Sequence, residues 1–91
     1  MHDFILGSGP MNDFWRKLGG KLRQARHHQG LTQQQVAELV DVPAEVYGRI
    51  ERGAMLPGLK LLVALCIRLG TTPDQLLGFS AAPPRRAGGD A

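Results

Sequence analysis

From Asn12 to Gly78 apolar residues recur at spacings of three and four, and no stretch alternates in the strict manner of a strand, so the chain reads as all-α. Asn12 is placed as an N-cap with Asp13 in the first turn, and Phe14/Trp15, Leu18, Leu22 and Ala25 then line one face of a first helix toward Gln29, closed by Gly30. The run Thr32-Gln33-Gln34-Gln35 has the form of a capping box opening a short second helix over about 33–40, with Val36, Ala37, Leu39 and Val40 inward. Asp41-Val42-Pro43 interrupts it, because proline cannot continue a helix but suits the start of the next one. A third helix over about 44–52 turns Val46 and Ile50 inward and stops at Gly53. Beyond Pro57-Gly58, residues Leu59, Leu62, Val63, Cys66 and Leu69 mark a fourth helix ending at Gly70. Thr72-Pro73-Asp74-Gln75 has capping-box form for a short fifth, with Leu76 and Leu77 buried and Gly78 closing it. The expected architecture is a compact five-helix bundle.

Length and composition narrow this further. Ninety-one residues supply one small domain, and with only 5% aromatic residues its core must be aliphatic. The domain is placed at 12–79. A leader, 1–11, carries Phe4-Ile5-Leu6 ahead of Gly7-Ser8-Gly9-Pro10 and reads as an arm, a dimer contact or a non-native extension, with Met11 an alternative start. The tail 80–91 has no large apolar residue and is expected to be disordered. The longest uninterrupted apolar run, Leu61 to Ile67, falls far short of the roughly 18–20 residues that span a bilayer, and the first residues lack the basic start of a signal peptide. With a single cysteine, Cys66, read as a small buried hydrophobe, the expected location is cytoplasmic, at the nucleoid when bound to DNA. Charge is uneven. Residues 16–30 hold Arg16, Lys17, Lys21, Arg23 and Arg26 with no acid, a block suited to a polyanion within a net charge of +3.

Two short helices around a three-residue break fit a helix-turn-helix, whose second helix enters the major groove while the N-terminus of the first faces phosphate. Gln33 stands where that phosphate contact would be made. The runs LGGKLRQARHHQGLTQQQVAELVDVP and VYGRIERGAMLPGLKLLVALCIRLGTTPDQLLG carry L-R-x-x-R, G-L-T-Q, R-I-E-R-G and L-G-x-x-P-D-x-L-L in order. Over roughly Leu18 to Leu77 the chain resembles the phage-repressor and Cro-like, or XRE-type, helix-turn-helix family. The resemblance implies a lambda-repressor-like five-helix DNA-binding domain, usually dimeric, acting as a transcriptional regulator on double-stranded DNA. It puts Thr32 and Gln33 at the phosphate-facing start of the second helix. Ala44, Glu45 and Arg49 fall on the recognition surface, and Arg26 with Glu51 forms an ion pair joining the first helix to the third. Arg49 is the candidate base reader, since a guanidinium can take guanine O6 and N7 together, and Arg52, beside the Gly53 turn, is a candidate phosphate contact. Tyr47 is left between bundle packing and a base or methyl contact.

Several positions depart from the family pattern. Asp41 stands where a left-handed glycine is usual, Pro43 replaces the Ser/Thr cap, and Gly48 replaces a polar residue in a way that would admit a close backbone approach. Glu45 repels phosphate unless it accepts from cytosine N4. His27 and His28 are adjacent and have no metal spacing, and neither a Ser/His/Asp grouping nor a phosphate-cradling loop is present, so neither an enzyme nor a cofactor is expected. The alternative function is a protein-binding module on the same fold, with Glu45, Tyr47, Met55 and Leu56 as a partner patch. A homodimer is expected through the fifth helix, Met55-Leu56 or the leader.

Overall fold

The computed structural model describes residues 10–79, so the leader before Pro10 and the tail from Ser80 lie outside the described residues. Five helices follow one another: α1 (Pro10–His28), α2 (Gln33–Leu39), α3 (Ala44–Glu51), α4 (Leu59–Leu69) and α5 (Pro73–Leu77). No strand occurs among the described residues. α1 begins three residues earlier than the Asn12 cap predicts. Proline's fixed φ is ready-made for a first helical position, so Pro10 opens the helix and Asn12 lies inside its first turn.

The core gathers Leu18 and Leu22 of α1, Val36 and Ala37 of α2, Tyr47 and Ile50 of α3, Leu65, Cys66 and Leu69 of α4, and Leu76 of α5. It is aliphatic apart from Tyr47 and Cys66. Burial pushes the Cys66 thiol up from its ordinary value, which keeps it protonated and inert. Leu39, Leu59 and Val63, expected inward from spacing, are exposed instead. α2 ends at Leu39, and the inward-facing stripe of α4 is already filled by Leu65, Cys66 and Leu69 with Leu61 and Leu62 beside them.

Local chemistry fixes the joints. At the start of α2 the Gln35 amide N–H donates to Thr32 Oγ1 at 3.1 Å while Thr32 N–H donates to Gln35 Oε1 at 2.8 Å, a complete capping box. Removing the hydroxyl in Thr32→Ala is expected to lower unfolding stability by about 1 kcal/mol, read from a urea melt. At α5 only half of the expected box forms. Thr72 Oγ1 accepts from Gln75 N–H at 3.1 Å, but the Gln75 side-chain oxygen accepts from the Thr71 hydroxyl at 2.9 Å instead of capping Thr72. Between α2 and α3, Asp41 takes the left-handed conformation that its position in the motif demands, with φ 62°. Pro43 then starts α3 without any side-chain cap.

Candidate nucleic-acid interface

Helix α3 is short and is held from three sides. Glu51 at its C-terminal end is nearly buried and receives two hydrogen bonds from Arg26 of α1, Nε to Oε2 at 2.6 Å and Nη2 to Oε1 at 3.0 Å. Arg26 Nη1 donates to the carbonyl of Leu31 at 3.0 Å, so the guanidinium also fixes the turn leading into α2. From α2, Gln33 Nε2 donates to Glu51 Oε1 at 2.9 Å. Burial by itself would raise the Glu51 pKa, but the hydrogen bonds from Arg26 and Gln33, with the nearby Tyr47 hydroxyl, outweigh it and hold the carboxyl below its ordinary value. The same contacts, Glu51 foremost, push the Arg26 pKa up. The carboxylate thus joins α1, α2 and α3 at one point.

Backbone contact adds the third constraint. Gly19 of α1 lies directly under the last turn of α3, where a side-chain carbon would sit 2.5 Å from the Ile50 carbonyl oxygen and closer still to that of Glu51. Gly53, at φ 78°, closes the same corner against Arg16. Nothing in the local sequence distinguishes Gly19 from its neighbour Gly20, which faces open space. The difference arises only when α3 crosses α1.

The exposed side of α3 then presents Ala44, Glu45, Arg49 and Arg52. Arg49 Nη2 donates to Glu45 Oε2 at 2.8 Å, an exposed pair one turn apart that the i, i+4 spacing of the two residues already encodes. Thr32 is exposed beside them at the start of α2, with its hydroxyl engaged in the capping box. Gln33 is half-buried and gives one N–H of its side-chain amide to Glu51, which leaves the second N–H of the same nitrogen outside that bond.

Two expected positions do not lie on this face. Tyr47 is fully buried among the core residues, on a helix that packs against α1 and α2. Its hydroxyl is buried without a hydrogen bond, and burial raises its pKa well above the ordinary phenol value. That removes Tyr47 both from a base-reading surface and from a partner patch. Gly48 is also covered: a side-chain carbon there would meet Arg52 Nη1 at 3.2 Å and Gln33 Oε1 at 3.3 Å. These two side chains roof the glycine, so no close backbone approach is open at that point. On α1, Arg26 leaves the basic block for its buried pair, and Lys17 pairs with Asp13 at 3.3 Å, while Arg16, Lys21 and Arg23 remain on the surface.

A short helix pair about a tight left-handed turn, with the second helix clamped at its base and charged on its outer side, is the arrangement of a helix-turn-helix domain. The family profile described as a helix-turn-helix domain matches residues 17–77, and the chain belongs to that family, in its XRE-type branch. A relative from Bacillus subtilis (strain 168), an SPbeta prophage-derived uncharacterized HTH-type transcriptional regulator, YonR, is 36% identical over 60 residues. That match takes in 66% of this chain and 56% of the relative, so the chain spans little more than half the length of that protein. Among solved structures, the restriction-modification controller protein C.AhdI from Aeromonas hydrophila is similar at 31% identity with a TM-score of 0.64, over 68% of this chain and 94% of that one. The clp gene regulator ClgR from Corynebacterium glutamicum is similar at 27% identity and a TM-score of 0.68, over 78% and 87% of the two chains.

Proposed function

We propose that this chain is a sequence-specific, repressor-type transcriptional regulator that reads the major groove of double-stranded DNA with α3. The observation that carries the reading is the outer face of α3: an exposed Arg49, oriented by Glu45, on a helix whose base is locked by Arg26, Gln33 and Gly19. Glu45 engages one terminal nitrogen of Arg49, which leaves other guanidinium donors for guanine O6 and N7, and a carboxylate can accept from a neighbouring cytosine N4. Ala44 offers a small apolar contact for a thymine methyl. Arg52 and the start of α2 at Thr32 and Gln33 face phosphate, Gln33 through its backbone N–H and the amide hydrogen not given to Glu51. The protein acts without enzymatic chemistry in the cytoplasm, and two copies bind related half-sites. No helix among the described residues is long and apolar enough to cross a membrane.

Selection from a random duplex pool, followed by salt titration of the winning site against scrambled DNA, tests this. The expected result is one two-fold-related site preferred by roughly 10³ or more. Arg49→Ala should lose about 1–3 kcal/mol on that site and relax the preference at one base pair, with little change on scrambled DNA. Weak, unselective binding abolished by moderate salt would reduce the surface to a plain electrostatic one.

A further inference from the structure

We infer that Gly48 is a positioning residue for DNA phosphate: its missing side chain lets Arg52, at the end of α3, and Gln33 of α2 close over the helix and present their free donors to one phosphodiester together. This rests on the DNA-reading role proposed for α3 and gives a function to the centre of its outer side. By helical spacing Ala44, Gly48 and Arg52 form one row along that side, the row nearer α2, and Glu45 with Arg49 form the row beside it. Gly48 thus belongs in the middle of an outward face, yet it is buried. The groups that cover it are the side chains of Arg52 and Gln33.

Side chains on a helix lean toward its N-terminus, so Arg52 lies back over the residue one turn before it. There its Nη1 stands 3.2 Å from where a side-chain carbon at position 48 would be, and Gln33 Oε1, reaching across from α2, stands 3.3 Å from the same point. A guanidinium and an amide thus meet from two helices above one glycine. Even a methyl group there must push both of them back by a few tenths of an ångström, and a longer side chain would take their place altogether. Both groups keep donors that the protein leaves unused. Gln33 spends one N–H of Nε2 on Glu51 at 2.9 Å, a bond that also fixes the amide in place. Arg52 has no carboxylate partner among the described residues, since Glu51 is taken by Arg26 and Glu45 by Arg49. Converging donors of this kind call for an anion that accepts hydrogen bonds and offers none, which is the chemistry of a phosphodiester. The two rows of α3 therefore divide the work, with Glu45 and Arg49 turned to bases and the Gly48 row turned to the backbone.

The test measures binding of the full chain to a scrambled duplex across a salt series, because phosphate contacts are independent of sequence and no operator is needed. Arg52→Gln should weaken binding and lower the slope of log affinity against log salt by about one. Gly48→Leu removes no charge and brings in a better helix former, so it should keep the helical circular dichroism of the parent. It should nevertheless lower the slope as Arg52→Gln does, and adding Arg52→Gln to it should lower the slope no further. Gly48→Ala should give a smaller drop of the same kind, and it carries the comparison if the leucine variant does not fold. A Gly48→Leu protein with the parent's slope, or one in which Arg52→Gln still removes its full share, would overturn the role of Gly48. Unselective duplex binding with the expected slopes would sink the sequence-reading proposal and support this one. A parent that binds no duplex even at low salt would overturn both.

Discussion

Arg26→Ala is expected to destabilise the fold by about 3–5 kcal/mol, because it strips a nearly buried carboxylate of its charged partner while leaving it buried. A domain of this size holds about 5–15 kcal/mol in all, so the variant should be partly unfolded at moderate urea concentrations that the parent withstands. Arg26→Lys should recover only part of the loss. Arg26 uses Nε and Nη2 on Glu51 and Nη1 on Leu31, a fork that one ammonium cannot reproduce. The effect carries a pH signature. Since the Glu51 pKa is held below its ordinary value in the folded state, the stability it contributes is fully present above the ordinary carboxylate range and is lost as pH falls through the depressed value. The gap between parent and Arg26→Ala should therefore be widest near neutral pH and narrow in acid. Urea melts of both proteins across that range measure it, and a gap independent of pH would mean that the pair contributes packing rather than charge.

Gly19→Ala should be the second large loss, against the direction that helix propensity gives. In an exposed helix interior the exchange gains up to about 1 kcal/mol, and Gly20→Ala, facing open space, is expected to show that gain. At Gly19 the new methyl meets two backbone carbonyl oxygens, which have no rotamer to change, so α1 and the end of α3 must part. Overpacking of this kind costs about 1–3 kcal/mol, and near a buried ion pair whose geometry depends on the same approach the upper end is expected. For a domain of this length about 1 kcal/mol corresponds to roughly 4–8 °C in Tm, so the adjacent variants should move melting temperature in opposite directions. Equal and positive shifts would show that the two helices are not held at this distance.

The elements were legible because their punctuation is local. Thr32 and Gln35 bind each other across one turn, Asp41 accepts a left-handed backbone, and Gly30, Gly53, Gly70 and Gly78 all take positive φ where a helix or turn ends. The Arg26–Glu51 geometry is 25 residues long in sequence and was accessible only through the family resemblance. What escaped was decided by how helices cross. Tyr47 falls inside because α3 packs against α1 and α2 on that side, and Gln33 turns inward because Glu51 lies within its reach. The exposed row on α4, Leu59, Val63 and Ile67, is as apolar as the buried Leu65, Cys66 and Leu69, so composition could not tell which side faces the bundle.

The three-way clamp on α3 has a consequence for how selectivity is distributed along a DNA site. If α3 reads DNA as proposed, its base fastened to α1 and α2 leaves it little motion to freeze on association, and the conformational entropy lost by the protein is small. Such a helix does not mould itself to a groove of the wrong width. The duplex must supply the accommodation, so base steps that Arg49 never reaches enter the energy through their stiffness, and flexible pyrimidine–purine steps between half-sites would be favoured without being touched.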